Sequence, residues 1–242
     1  MAKQRLDQLI ITRHPELSKS FVQSLIMQGK VSVDGKVITK SGTMVLPDVV
    51  IKLETEQPPY VSRAGNKLAH ALDHFSIDVA NKVALDAGLS TGGFTDCLLQ
   101  RGASKVYGVD VGYGQVHEKI RGDQRVVVME RTNLRHLESL PELVDIVTLD
   151  LSFISVLKVI DRVATFIKPH GQLIVLVKPQ FEAERKGISK GGIVTDPAVH
   201  EEVIQRVTRG IQEHGFAYKG ITQSPILGTE GNKEFLALFE KI

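Results

Sequence analysis

Val83-Ala84-Leu85-Asp86-Ala87-Gly88-Leu89-Ser90-Thr91-Gly92-Gly93-Phe94-Thr95-Asp96 is the stretch on which the reading of the fold turns. A short apolar run ends in a carboxylate, a glycine-rich turn follows, and a helical pattern begins at once. This is the strand-turn-helix passage where doubly wound sheets take nucleotide ligands. The spacing Gly88-x-Ser90-x-x-Gly93 approximates the dinucleotide fingerprint, yet Ser90 stands where a glycine lets pyrophosphate approach. A carboxylate at Asp86 would repel pyrophosphate and attract an ammonium group. Both features speak against NAD and for a ligand with a methionine-like amine.

Working outward, strand patterns recur at 106–110, 126–129, 146–150 and 173–178, with helical patterns between them at 95–101 and 156–167. A loop rich in Lys and Gly follows Lys178, then Asp196-Pro197 caps a helix at 198–213, and strands at 216–222 and 235–239 finish the chain. Such alternation predicts an α/β fold, a doubly wound and mainly parallel sheet of seven strands covered on both faces. Asp110 ends the second strand, where a carboxylate accepts hydrogen bonds from the ribose of an adenosine. Asn133 is placed to meet the adenine edge and Phe153 to cover the base. The candidate cofactor contacts are thus Asp86, Gly88, Ser90, Thr91, Gly92, Gly93, Phe94, Asp110, Val111, Asn133, Asp150 and Phe153.

Upstream, Pro58-Pro59 stiffens the chain and marks a boundary. Residues 1–56 form a small α+β domain, 57–63 a linker and 64–242 the larger domain. Leu6, Leu9 and Ile10 have helical spacing; Ser18 caps a second helix carrying Val22, Leu25 and Ile26, which Gly29 stops. Val31 to Val37 alternates around Asp34-Gly35, a hairpin signal. Residues 1–46 hold seven basic side chains against three acids, a local net of +4, whereas the whole chain of 242 residues carries only +2.

Composition excludes several classes. Cys97 is the single cysteine, so no intramolecular disulfide forms and a reducing cytoplasm is the expected compartment. The first residues lack the apolar run of a signal peptide, and no stretch reaches the length of a membrane span. His70 and His74 share a helix face without a third ligand, so no metal site is expected.

Four ionisable residues fall at the mouths of different elements: Lys67 in the first helix after the linker, Asp150 and Lys178 ending the fourth and fifth strands, and Glu234 before the last. Strands four and five are neighbours in this topology, which would bring Asp150 and Lys178 together beside the cofactor.

The N-terminal string Arg5-Leu6-Asp7, Ser18-Lys19-Ser20, Leu25-Ile26, Gly29-Lys30-Val31 and Val33-Asp34-Gly35-Lys36 resembles the S-four-type RNA-binding domain. That likeness implies phosphate contacts from Arg5, Lys19, Lys30, Lys36 and Lys40; Arg63, the last residue of the linker, is a further candidate RNA contact. The strings Tyr60 to Leu68, Asp86 to Asp96, Val109-Asp110-Val111-Gly112-Tyr113-Gly114-Gln115, Glu130-Arg131-Thr132-Asn133, Asp150-Leu151-Ser152-Phe153-Ile154-Ser155, Lys178-Pro179-Gln180-Phe181-Glu182 and Gly231-Asn232-Lys233-Glu234 are similar to the TlyA, or hemolysin A, family. Its members are 2′-O-methyltransferases of ribosomal RNA cytidines with an FtsJ-like catalytic domain. The resemblance implies a Rossmann-like class I methyltransferase fold, S-adenosyl-L-methionine as cofactor, ribosomal RNA or ribosomal subunits as partner, and Lys67, Asp150, Lys178 and Glu234 as the catalytic tetrad. Shorter members of the family tend to act on the large subunit, and this chain ends soon after its last strand, so large-subunit RNA is the expected target. Leu89 departs from the small residue more usual there and would crowd the loop.

The chemistry accounts for the residue types. A ribose hydroxyl is a poor nucleophile that needs a base and a fixed line of attack. Lys178 is the expected base, because burial and a neighbouring cation such as Lys67 favour a neutral amine, while Asp150 and Glu234 would oppose that effect and orient the lysines. An intact tetrad argues against the chief alternative, a non-catalytic RNA-binding or ribosome-assembly factor. A membrane-lytic protein would need an insertion segment that the sequence lacks.

Overall fold

The computed structural model describes residues 3–54, 59–183, 192–228 and 231–242. The chain divides into two compact units, Met1–Gln57 and Pro58–Ile242.

The first unit contains β1 (Gln4–Arg5), α1 (Leu6–Arg13), α2 (Lys19–Met27), β2 (Val31–Val33), β3 (Lys36–Val37), β4 (Met44–Val45) and β5 (Ile51–Leu53). Ser18 accepts a hydrogen bond from the Phe21 N–H and so caps α2. Asp34 and Gly35 both take positive φ, which joins β2 to β3 in a tight hairpin. The sequence pattern missed the other pairings: β5 extends the hairpin beside β2, and β1 pairs with β4. Strands of two residues show no alternation to read. Leu6, Ile10, Val22, Ile26 and Val31 are fully enclosed between these elements.

Lys19, Lys36 and Lys40 are exposed on this unit and Lys30 is half-buried. Arg5 departs from the expectation of a free cation. Its Nε and Nη2 donate to the two oxygens of buried Asp7 at 3.0 and 2.8 Å, and Gln23 adds a third bond at 3.1 Å. The guanidinium holds the Asp7 carboxyl down at about 2. Arg5 therefore satisfies an enclosed acid, since a buried carboxylate is tolerated only when paired.

The second unit runs α3 (Ala64–His74), β6 (Val83–Ala87), α4 (Gly93–Gln100), β7 (Lys105–Val109), α5 (Glu118–Arg121), β8 (Val126–Met129), β9 (Val144–Leu149), α6 (Ile160–Phe166), β10 (Ile167–Val177), α7 (Pro179–Glu182), α8 (Pro197–Gln212), β11 (Phe216–Gln223) and β12 (Phe235–Lys241). Its seven strands lie in the order β11-β12-β10-β9-β6-β7-β8. One strand, β12, runs antiparallel to the other six, pairing so with both β10 and β11. Side chains alternate between two apolar layers: Leu85, Val147 and Val175 face α8, whereas Ala84, Ile146 and Ile174 face α3 and α4. From β6 the chain builds outward through β7 and β8, then returns to the other side of β6 with β9. The crevice between the carboxyl ends of β6 and β9 is the switch point where such sheets bind ligands.

Two expectations are corrected. Residues 59–63 are packed into the second unit and are not a free linker: the Val61 N–H donates to Asp96 Oδ2 at 2.8 Å, Gln100 donates to the Pro59 carbonyl at 2.8 Å, and the Tyr60 ring fills the space beside Gly65. The helix expected at 156–167 is broken into a 3-10 turn, Val156–Lys158, and α6, because Ile167 already pairs with Val144 as the first residue of β10. The short α5 carries too few residues for a periodic pattern. Residues 57 and 58 of the expected linker and the Lys- and Gly-rich loop at 184–191 lie outside the described residues.

Candidate active site

The glycine turn is shaped by close approaches that a side chain would block. Gly88 has φ +93°, and a Cβ there would stand 2.2 Å from the Asp150 carbonyl oxygen. Gly93 lies so near Ser62 that a Cβ would meet its Oγ at 2.2 Å. The turn thus sits directly against the loop leaving β9 and the segment leading into α3. Between them opens a cavity of about 280 Å³, walled by residues 88–91, Gly93 and Phe94 of the turn, by Ser62, Arg63 and Ala64, and by Lys67, Asp150, Ser152, Lys178 and Glu234.

The four ionisable residues meet at this cavity. Lys67 comes from the first turn of α3, Asp150 and Lys178 follow the adjacent parallel strands β9 and β10, and Glu234 precedes β12 on the other side of β10. Lys67 Nζ donates to Glu234 Oε2 at 2.5 Å. Lys178 Nζ lies 2.6 Å from Asp150 Oδ1 and donates to Ser152 Oγ at 3.0 Å. Gln180 Nε2 reaches Glu234 Oε1 at 3.3 Å. The side chains of Lys67, Glu234 and Lys178 are at most 10% exposed. Rather than two neighbouring cations, the site holds two ion pairs, each lysine matched with one carboxylate. Water is scarce at such depth, so the pairing is what lets four charges share the cavity.

The residues assigned to the cofactor separate into three groups. Gly88, Ser90, Thr91, Gly93 and Phe94 of the turn line the cavity with Asp150, whereas Gly92 does not and packs against Ile120. Nor does Asp86: it is fully buried, accepting bonds from Thr95 Oγ1 at 2.7 Å and Thr148 Oγ1 at 3.0 Å. Burial pushes its carboxyl up to about 6. It ties α4 and β9 together beneath the turn, so direct contact with an ammonium, the sequence expectation, is corrected to support from behind. Asp110, Val111, Asn133 and Phe153 lie outside the cavity lining. Asp110 braces the turn, accepting from the N–H groups of Ser90 and Gly112, each at 2.7 Å. Asn133 accepts from the Arg135 N–H, while Val111 and Phe153 are 70% and 90% exposed. Leu89 lines the cavity too, though most of its side chain is buried against Gly108, which leaves it room.

Sequence reasoning missed Ser62, Ser152 and Gln180. Ser152 carried a signal, a hydroxyl two residues after a strand-end carboxylate; Ser62 and Gln180 carried none. Ser62 Oγ is buried without a hydrogen-bond partner among the described residues. An orphaned hydroxyl in a cavity wall calls for a polar ligand, and with the bare glycine backbone opposite it fits a small amino-acid moiety. Arg63 is exposed at the rim. His70 bonds Thr222 and stacks on His74, and among the described residues no three His, Cys, Asp or Glu side chains converge as for a metal. No described helix is long and apolar enough to cross a membrane.

Residues 60–241 match the FtsJ-like methyltransferase family and residues 4–51 the S4 domain. Among curated relatives, the 16S/23S rRNA (cytidine-2′-O)-methyltransferase TlyA of Mycobacterium tuberculosis is 41% identical over 96% of this chain and 87% of that protein. Hemolysin A of Brachyspira hyodysenteriae is 40% identical over 97% of this chain and 99% of its own length. A solved structure of a candidate hemolysin from Streptococcus thermophilus superposes with a TM-score of 0.78 at 40% identity, covering 100% of this chain and 89% of that one.

Proposed function

The chain belongs to the TlyA family of FtsJ-like methyltransferases, and on that premise we propose that it transfers a methyl group from S-adenosyl-L-methionine to the 2′-hydroxyl of a cytidine in ribosomal RNA. The observation that carries this reading is the convergence of two lysine–carboxylate pairs on a cavity at the switch point of the sheet. When bound, the donor supplies a methyl group already activated on a positively charged sulfur. Ser62 and the backbone of the glycine turn would hold its amino-acid end, and Asp110 retains lone pairs for its ribose.

The tetrad does the remaining work. A ribose hydroxyl between the two amines is oriented by hydrogen bonds, which fixes its line of attack. Once Lys178 has given up its own ammonium proton to solvent, its Nζ takes the hydroxyl proton as the oxygen forms its new bond, and Asp150 then faces the ammonium that is restored. The Lys67–Glu234 pair holds the other side of the oxygen. Ser152 gives Lys178 a second partner and keeps the amine directed into the cavity.

For RNA, the exposed Lys19, Lys36 and Lys40 with Lys30 supply cations for phosphate, which position a protein without reading sequence. Arg63 meets the RNA at the cavity rim. The natural place of action is the cytoplasm, on ribosomal subunits or their RNA, with the large subunit as the expected substrate.

Tritiated methyl transfer to subunits from cells lacking the enzyme tests the reading. Wild-type protein labels RNA, and Lys178→Ala binds donor yet labels it at a rate reduced by at least about a hundredfold. A ribosome-assembly factor with the same fold would bind subunits and leave them unlabelled.

A further inference from the structure

Glu182 is a buried acid that the chemistry above does not use. Its side chain is 2% exposed, and it does not line the cavity. It closes α7, the four-residue helix that begins directly after Lys178. Its Oε1 accepts a 2.8 Å hydrogen bond from the N–H of Val156, the first residue of the 3-10 turn ending the loop that leaves Asp150. Arg206 of α8 donates to the Glu182 carbonyl and stands 3.8 Å from Oε2. Burial raises this carboxyl above its ordinary range. Enclosing an acid is unfavourable, and an apolar side chain would fill the same space without that cost.

The reason for an acid here lies in what it joins. The ladder between β9 and β10 ends at the pair Leu149 and Val175. Beyond it no backbone bond of the sheet holds the two loops, yet Lys178 and Asp150 must meet at 2.6 Å across them. Glu182 spans this gap, and the rings of Phe153 and Phe181, centroids 5.0 Å apart, touch between the same two loops. We propose that Glu182 is a positioning residue for methyl transfer: by tying the 150–156 loop to the 178–182 segment it sets the approach of Lys178 to Asp150 and Ser152. The inference rests on the reading that this pair handles the hydroxyl proton.

Two substitutions isolate the bond. Val156→Pro deletes the N–H at a position that tolerates proline, because Ser155, at φ −67° and ψ 137°, already has the extended backbone that precedes it. Since it also reshapes a buried side chain, Val156→Ala, which keeps the N–H, is its packing control and is expected to keep kcat and the resonance near wild type. Glu182→Gln keeps an acceptor oxygen without the charge. Two readouts are taken on the full chain: kcat with ribosomal RNA beside the donor dissociation constant by calorimetry, and the ε-carbon resonance of Lys178 in protein labelled with ¹³C-lysine, assigned by its loss in Lys178→Arg. Val156→Pro is expected to lower kcat by about tenfold to a hundredfold, the scale of a small misplacement of reacting groups, with donor affinity within about twofold and the Lys178 resonance displaced. Glu182→Gln restores both kcat and the resonance to near wild type. A Val156→Pro protein with wild-type kcat and an unmoved resonance overturns the proposal, as does Glu182→Gln behaving like Val156→Pro. Should wild type transfer no methyl to ribose, the functional reading fails while the Lys178 resonance still decides the strut.

Discussion

Two enclosed aspartates, one in each unit, are treated in opposite ways. Asp7, in the small unit, is 1% exposed and gripped by the Arg5 guanidinium, which holds it near 2. Asp86, beneath the glycine turn of the large unit, is 0% exposed and is met by the hydroxyls of Thr95 and Thr148 with no cation beside it among the described residues, and burial lifts it to about 6. The first acid is placed to stabilise its fold. The second is a strain kept at a site, a local expense that functional regions retain because the ligand face needs it. The same contrast separates the ordinary hairpin turn at Asp34-Gly35 from the turn at Gly88, where backbone meets backbone at the expense of any side chain.

Four experiments break or sharpen this contrast. The largest effect belongs to the tetrad: Lys67→Ala should reduce methyl transfer by at least about a hundredfold. Its melting temperature should fall as well, because Glu234 is left enclosed without its cation, whereas Lys67→Arg keeps the charge pair and the melting temperature yet should still lose transfer. A Lys67→Arg protein that keeps both, by labelling and calorimetry, would make the pair structural. Next, Gly88→Ala drives a Cβ into the Asp150 carbonyl and forces positive φ on alanine. It should cost roughly 3 kcal/mol by denaturant unfolding and abolish donor binding.

In the small unit, Asp7→Asn should destabilise by about 1 to 2 kcal/mol. The Asp7 carboxyl lies below its unfolded value of 3.8, so its contribution is present above pH 4 and is lost as pH falls through about 2. Acid titration of the isolated transition should therefore be flatter in Asp7→Asn than in wild type. The smallest effect has the reverse sign. Asp86 is raised, so wild type loses stability as pH climbs from about 4 through about 6. Asp86→Asn should be more stable than wild type at pH 8 by up to about 2 kcal/mol in denaturant unfolding, and the two should converge below pH 4. A variant less stable at pH 8 would show that Asp86 is a stabilising acid after all.

Much of the site was legible because its residues close long, strongly patterned strands. Asp150 and Lys178 end apolar runs whose neighbourhood follows from topology, and the glycine turn announces itself by composition. Asp86 was misread for direct contact: strand alternation places it on the same side as Ala84, inside the sheet, and the hydroxyls that meet it come from Thr95 and Thr148, 9 and 62 positions away. The pairing of Arg5 with Asp7 could not be read from a basic string, because the burial of Asp7 is not visible there. The bond from Val156 to Glu182 crosses 26 positions and engages a backbone N–H, for which no side-chain pattern exists. Strands as short as β1 and β4 cannot show period two. The segment 57–63 looked like a linker by Pro58-Pro59, whereas the hydrogen bonds of Val61 and Pro59 to Asp96 and Gln100 of α4 span 35 and 41 positions, out of reach of any local pattern.

The central claim is that two lysine–carboxylate pairs direct a methyl group to a sugar oxygen. Ribosomal RNA incubated with the protein and deuterated-methyl donor, digested to nucleosides and read by mass spectrometry, tests it most directly. The label should appear on the ribose of cytidine, and only with an intact Lys178. Label on a base, or ribose label undiminished in Lys178→Ala, would contradict it.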